Sequence, residues 1–320
     1  MHYVRPNSRN RNYLWIALVA FCSQMALGCS HEQAQVAAAV KPAPIEFVQE
    51  WGTRGTEPGQ LEDPVSVAID SNGRIYFADR GTGFVEKFET SGIPLLTFEH
   101  PSVRNADAIA VDVGGGIYVA NSRAGTMQVF FPQGDPLRAL RTAPQRNSEG
   151  AFIFSIDSEG KIYVPDASGA RVQVFNARGQ ILRVWRIPPG GSEKAAHPFA
   201  AVADNNGAVY VGDGADGRIL KFTREGIQSA LLNAPDSGEA SQLLSLAVSA
   251  KRLLVLRGFP PRLEVWNEAG LRELVDPLGD RLAALKSADA LLAANAAGDL
   301  IVVDRQARRV FRFRAHLDSQ

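Results

Sequence analysis

The chain has 320 residues, with 34 Lys+Arg balanced by 34 Asp+Glu and 45% hydrophobic residues. This is ordinary globular composition, long enough for one large domain or two small ones. The charge balance argues against a nucleic-acid or acidic-polymer partner.

Read from the N-terminus, MHYVRPNSRNRNY carries Arg5, Arg9 and Arg11 and no acid, and an apolar run follows from Leu14 to Gly28. Ser23 and Gln24 interrupt the run, which is shorter than the ~20 residues of a spanning helix and is built like a secretory leader. It closes on Ala26-Leu27-Gly28-Cys29, which resembles a bacterial lipobox with Ala26 where Leu is commoner. The resemblance implies that residues 1–28 are a lipoprotein signal peptide and that Cys29 is the lipidated first residue of the mature chain. Cys22 leaves with the leader, so the exported domain has no disulfide or Cys metal site and relies on its core. Removal of three Arg leaves 31 basic residues against 34 acidic ones, a net charge of −3. Residues 29–44 then read as a flexible tether. Ser30 replaces the Asp that retains enterobacterial-type lipoproteins at the inner membrane, which favours the outer membrane.

Beyond the tether the sequence repeats. VAIDSNGRIYFAD recurs as IAVDVGGGIYVAN, FSIDSEGKIYVPD and AVADNNGAVYVGD, then more weakly as LAVSAKRLLVLR and LAANAAGDLIVVD. The first anchor falls at Asp70, Asp112, Asp157, Asp204, Ser249 and Asn295, in steps of 42 to 47 residues. A second falls at Asp79, Asn121, Asp166, Asp213, Arg257 and Asp304. The third is a Gly four residues after an aromatic, at Gly92, Gly134, Gly179, Gly226 and Gly270. Each unit holds four short alternating runs separated by turn residues, which predicts an antiparallel four-stranded sheet. Six such units predict an all-β, six-bladed β-propeller over residues 45–320, its innermost strands rich in Ala and Ser to fit the taper. The sixth unit lacks a fourth strand, while IEFVQEWG (residues 45–52) is a strand without a blade. It is therefore expected to complete the sixth blade as its outer strand, removing an open edge.

WGTRGTEPGQLEDPVSVAIDSNGRIYFAD and its siblings resemble the NHL repeat. An aromatic-Gly pair, a Gly-rich inter-blade loop ending Gly-Gln, then Pro and a strand–turn–strand core carry the likeness. The resemblance implies a propeller whose strand 2–3 loops form the ligand-binding face.

Functional expectations follow from what the repeat accounts for. Asp70 and its equivalents open turns, with Gly supplying positive φ, and are scaffold rather than a calcium loop, which needs more oxygen ligands. Tyr76, Tyr118, Tyr163 and Tyr210 share one repeat position and read as packing residues with a hydroxyl near the surface. In the 2–3 loops, Asp79, Arg80, Asn121, Arg123, Asp166 and Asp213 are candidate ligand-rim residues. Asp166–Arg171, Asp213–Arg218 and Asp304–Arg309 are expected to form exposed ion pairs within their loops. Five Arg crowd residues 305–314, either as one solvated strand face or as a contact for anionic lipid headgroups. No nucleophile–base arrangement or phosphate loop is visible. The expected function is a lipid-anchored cell-envelope module binding a protein or small ligand, with no cofactor and no nucleic acid. The alternative is a metal-assisted hydrolase or lyase, resembling lactonase-type propellers. A divalent metal would then be held by Asp63, His100, Asp107, His197 and Asp289 converging on the channel mouth.

Overall fold

The computed structural model describes residues 45–142, 152–190, 195–232, 242–258, 261–275, 278, 280–283, 285 and 290–316. Its strands are β1 (Ile45–Trp51), β2 (Pro64–Ile69), β3 (Ile75–Asp79), β4 (Phe84–Phe88) and β5 (Pro94–Glu99). Next come β6 (Ala108–Val111), β7 (Ile117–Asn121), β8 (Thr126–Phe130) and β9 (Pro136–Arg141). The third and fourth units supply β10 (Ser155–Ile156), β11 (Ile162–Asp166), β12 (Arg171–Phe175), β13 (Ile181–Arg186), β14 (Pro198–Ala203), β15 (Val209–Asp213), β16 (Ile219–Phe222) and β17 (Gln228–Leu232). Last are β18 (Leu243–Ser249), β19 (Arg252–Arg257), β20 (Arg262–Trp266), β21 (Arg272–Val275), β22 (Leu291–Ala294), β23 (Asp299–Asp304) and β24 (Arg309–Ala315). They form six antiparallel four-stranded sheets arranged as a propeller. Blades one to five are consecutive; the sixth runs β22-β23-β24-β1 from the axis outward.

The expected closure is present. β1 pairs with β24 from Ile45↔Ala315 to Trp51↔Val310, so the first strand covers the edge the last strand would leave open. Phe47 packs edge-on against Phe313 at 5.8 Å. Trp51 carries the join into the first blade, 4.8 Å from Phe88 and 6.1 Å from Phe77.

Local sequence explains each blade. The Asp70 carboxylate accepts from the N–H groups of Asn72 (2.9 Å) and Arg74 (2.8 Å), and Gly73 turns the chain at φ +82°. Asp157 does the same with Glu159 and Lys161, both at 2.9 Å. The Tyr hydroxyls differ from expectation. Tyr76 and Tyr163 are fully buried, and each donates to the turn Asp of its own blade, Asp70 at 3.0 Å and Asp157 at 2.9 Å. A buried phenol requires a partner, and the turn carboxylate is the nearest acceptor. Desolvation and that neighbouring charge raise both phenol pKa values.

Blades lock together through the third anchor. A Cβ on Gly134 would lie 2.7 Å from the Phe98 ring, on the outer strand of the preceding blade. Gly92 meets Trp51, Gly179 meets Leu140 and Gly226 meets Trp185 in the same way. The inner strand of the third blade is shorter than its pattern suggested. Upstream of Ser155, Ile153 pairs with the fourth blade instead, donating to Phe199 O (2.9 Å) and accepting from Ala201 N (2.8 Å).

Candidate functional site

Strands 1 to 4 run outward from the axis in each blade, so the 2–3 loops and the inter-blade loops share one end of the ring. The second-anchor carboxylates organise this end. Asp79 is fully buried and accepts from Glu62 N (2.7 Å), Asp63 N (3.0 Å) and Thr82 N (3.2 Å), tying its own loop to the incoming chain. Asp213 accepts from His197 N (2.8 Å), Ala215 N (3.0 Å) and the Arg218 guanidinium at 2.9 Å. Asp166 takes Gly169 N at 3.0 Å and Arg171 Nε at 2.6 Å.

These carboxylates are therefore inside the loops; Arg171 is an outward partner, while Arg218 is itself largely covered and also donates to Pro189 O. The Asp166 and Asp213 side chains are 2% and 1% exposed, so their Arg pairs are not the solvated ones expected from spacing. The third pair is rearranged: Asp304 accepts from Ala307 N (2.9 Å), while Arg309 crosses to Glu50 on β1. Closing the ring brings a second acid to Arg309 that its own loop could not supply.

Two blades break the pattern. In the second, Asn121 caps Ala124 N at 3.0 Å, and Asp107 from the inter-blade loop takes over, bonded to Ser122 N (3.0 Å) and Oγ. Burial pushes the Asp107 carboxyl up against the opposing pull of Ser122 and of exposed Arg123. In the fifth blade Arg257 replaces the acid with its side chain only 3% exposed. Its Nε donates to Glu264 (3.2 Å) and its Nη1 to Gly217 O (2.6 Å), while Nη2 is buried without a hydrogen-bond partner. Glu264 is further held by Arg272 (3.1 Å) and Trp266 Nε1 (3.0 Å). The change from an acid to Arg257 at the second anchor is the signal of this site in the sequence.

Asp63 joins the first and sixth blades. It accepts from Arg80 Nη2 (2.9 Å) and Arg305 Nη2 (3.0 Å), and Arg308 donates to Glu62 O at 2.6 Å. Arg312 and Arg314 both pair with Asp299, at 2.9 Å and 3.2 Å. The Arg-rich stretch thus works as a clasp between chain ends.

Between the inner strands lies a channel of about 170 Å³, walled by small and apolar side chains such as Val67, Ile109, Phe154 and Ala247. Its serines bridge blades: Ser66 Oγ accepts from Ile109 N (3.1 Å) and Ser155 Oγ from Ala203 N (2.9 Å).

Of the proposed metal ligands, Asp63, His100 with Asp107, and His197 lie in three different inter-blade loops. Asp63 is held by arginines and Asp107 by Ser122. His100 Nδ1 lies 2.7 Å from Ser102 Oγ, with its ring edge-on to Phe130. Among the described residues no group of three or more His, Cys, Asp or Glu is placed to hold a metal ion. Asp289, Cys29, Ser30 and the leader lie outside the described residues.

No protein-family model matches the chain, and no curated protein sequence matches it. Solved structures do. A streptogramin B lyase aligns at 12% identity over 85% of this chain and 98% of its own, with TM-score 0.57. A catalytically inactive virginiamycin B lyase from Staphylococcus aureus with quinupristin aligns at 14% identity over 86% and 90%, TM-score 0.59. The Cps50 (Swd1) β-propeller domain of Myceliophteria thermophila aligns at 11% over 82% and 84%, TM-score 0.54. Likeness at such identity establishes the propeller fold alone.

Proposed function

We propose that this chain is an exported lipoprotein whose NHL-type propeller is a binding module of the cell envelope, with the 2–3 loop end receiving its protein or small ligand. The observation that carries this reading is the inward turn of the second-anchor carboxylates. Asp79, Asp166 and Asp213 fold their loops, leaving Arg80 and Arg123 exposed and Arg171 partly exposed at this end of the ring. Such a surface suits recognition, with loops fixed by buried carboxylates and donors at the rim. Export and anchoring are supported by the leader and by Ala26-Leu27-Gly28-Cys29; two or more acyl chains on Cys29 suffice for stable attachment. Ser30 supports the outer membrane.

Two measurements test this. Labelled palmitate should enter the wild-type protein and not Cys29→Ser; equal labelling would remove the anchor. A photo-crosslinking residue at Arg80 or Arg123 of the full chain in cells should capture a discrete adduct, and one at Leu95 on β5 should not. Adducts only from Leu95, or none, would count against the rim.

The lyase structures sharing this fold favour a second reading, a metal-assisted hydrolase or lyase at the channel mouth. It requires Asp63, His100 and Asp107 to leave their present partners and to converge with His197. Stoichiometric metal in the purified protein, with turnover of a lactone or a streptogramin, would establish it.

A further inference from the structure

The two ends of the ring are chemically unlike. Opposite the 2–3 loops lie the 1–2 and 3–4 turns, which touch one another: a Cβ on Gly73 would lie 2.9 Å from Thr90 Cγ2, and one on Gly115 would lie 3.5 Å from Pro132. Exposed large apolar side chains favour this end. Of the twelve among the described residues, six (Ile93, Val113, Phe131, Ile181, Ile227 and Leu271) sit in or beside these turns. The other six are on outer strands, and none is in a described 2–3 loop. Ile93, Ile227 and Leu271 are 57%, 66% and 65% exposed, and each directly follows the turn glycine of its unit. Packing does not demand an aliphatic residue there, because Asp135 and Gln180 fill the same position in the second and third blades.

The chain also enters the ring at this end. Ile45 opens β1 opposite Ala315, whose N–H donates to Gly298 O (2.8 Å) in the sixth blade's 1–2 turn. The placement of the anchor follows from the proposed acylation of Cys29. Residues 30–44, 15 in number, then join the anchor to Ile45. A coil of that length spans roughly 20 Å on average, and ~50 Å at full stretch. Laying the 2–3 loop end on the bilayer would make the tether first climb the ring beside the seven-residue β1, a rise of about 24 Å. The turn end needs no such climb.

We infer that the turn end of the ring rests on the bilayer holding the anchor, with Ile93, Ile227 and Leu271 entering the headgroup region and the 2–3 loop end facing away. Charge at the turns is mixed, with Arg74, Arg178 and Arg224 set against Glu89, Glu225 and Glu268. Insertion of aliphatic side chains, not attraction to anionic lipid, therefore carries the contact. The geometry holds the binding rim toward the aqueous compartment.

The test uses the full chain, purified from bacterial membranes and reconstituted in vesicles of phosphatidylethanolamine and phosphatidylglycerol. With Cys22 removed and Cys29 acylated, the thiols of Ile93→Cys, Ile227→Cys, Leu271→Cys and Arg123→Cys are each the only one available to an environment-sensitive dye. Dyes at 93, 227 and 271 should emit further to the blue and be quenched by doxyl lipid about threefold more than the dye at 123, which iodide should quench. Changing the phosphatidylglycerol fraction should leave this contrast in place. Equal iodide quenching at all four sites would overturn the inference, as would turn sites shielded from both quenchers by a protein. Wild-type protein that labels at Cys29 and is soluble would defeat the anchor alone. The same variants, now also carrying Cys22→Ser and Cys29→Ser, would then be added to the same vesicles, where a blue shift at the turn sites supports the surface and its absence overturns it.

Discussion

Replacing Glu86 by Gln should stabilise the propeller at alkaline pH and leave it nearly unchanged in mild acid. Glu86 lies on β4 with no exposed surface. One carboxylate oxygen accepts from Gly59 N (3.0 Å), and the other is buried without a partner. Burial pushes its pKa from the ordinary 4.5 up to about 7; the Gly59 bond opposes this and the Asp79 charge adds to it. The sign follows from linkage: the group is harder to ionise in the folded state, so its protonated form favours folding. That contribution is complete below 4.5 and is lost as pH rises through 7. At about 1.4 kcal/mol per pH unit, the interval corresponds to about 3 kcal/mol. Gln keeps an acceptor for Gly59 and cannot ionise. The stability difference between Glu86→Gln and wild type should therefore grow by about 3 kcal/mol between pH 4.5 and pH 8. Urea unfolding followed by Trp fluorescence across that range measures it. A pH-independent difference would refute the account of a buried, unpaired carboxyl.

Gly226→Ala, at φ +89°, places a methyl inside the Trp185 indole, whereas Gly160→Ala, at φ +79°, finds its nearest atom at 3.8 Å. The second should cost only the ~1–2 kcal/mol of left-handed backbone strain, and the first about 3 kcal/mol or more, since the ring must move. Equal losses in denaturant midpoint would show that the glycine–aromatic contact does not lock blades. Arg257→Met should destabilise by about 3 kcal/mol, because Glu264 is left buried with weaker compensation. Adding Glu264→Gln should recover part of that loss; strict additivity in the double-mutant cycle would mean the two side chains act independently.

Much of the architecture was legible in the residues. The Asp-x-x-Gly turn recurs because the Asp70 carboxylate and the positive φ of Gly73 are needed wherever strands 1 and 2 meet so tightly. The missing fourth strand of the last unit and the spare strand at residues 45–52 pointed to one another, and Ile45–Trp51 does pair with β24. The polar site was less legible. Asp79 looked available for a ligand, yet it binds the N–H groups of Glu62 and Asp63. Five-residue spacing identified Asp166–Arg171 and Asp213–Arg218 as pairs but not their burial. For Arg309 it pointed to Asp304, and the partner is Glu50, 259 residues away in sequence.

Strand period, turn chemistry and blade number are local properties repeated along the chain, so the sequence alone determined six four-stranded blades and the strand that closes them. Which polar groups remain outward was decided only by the tertiary structure. An Asp that opens a loop has the same local sequence whether its oxygens meet water, a neighbouring arginine or the backbone of an incoming blade. Closing the ring sets residues some 240 positions apart, such as Asp63 and Arg305, within 3.0 Å, and it is this contact across the join that engages their charge.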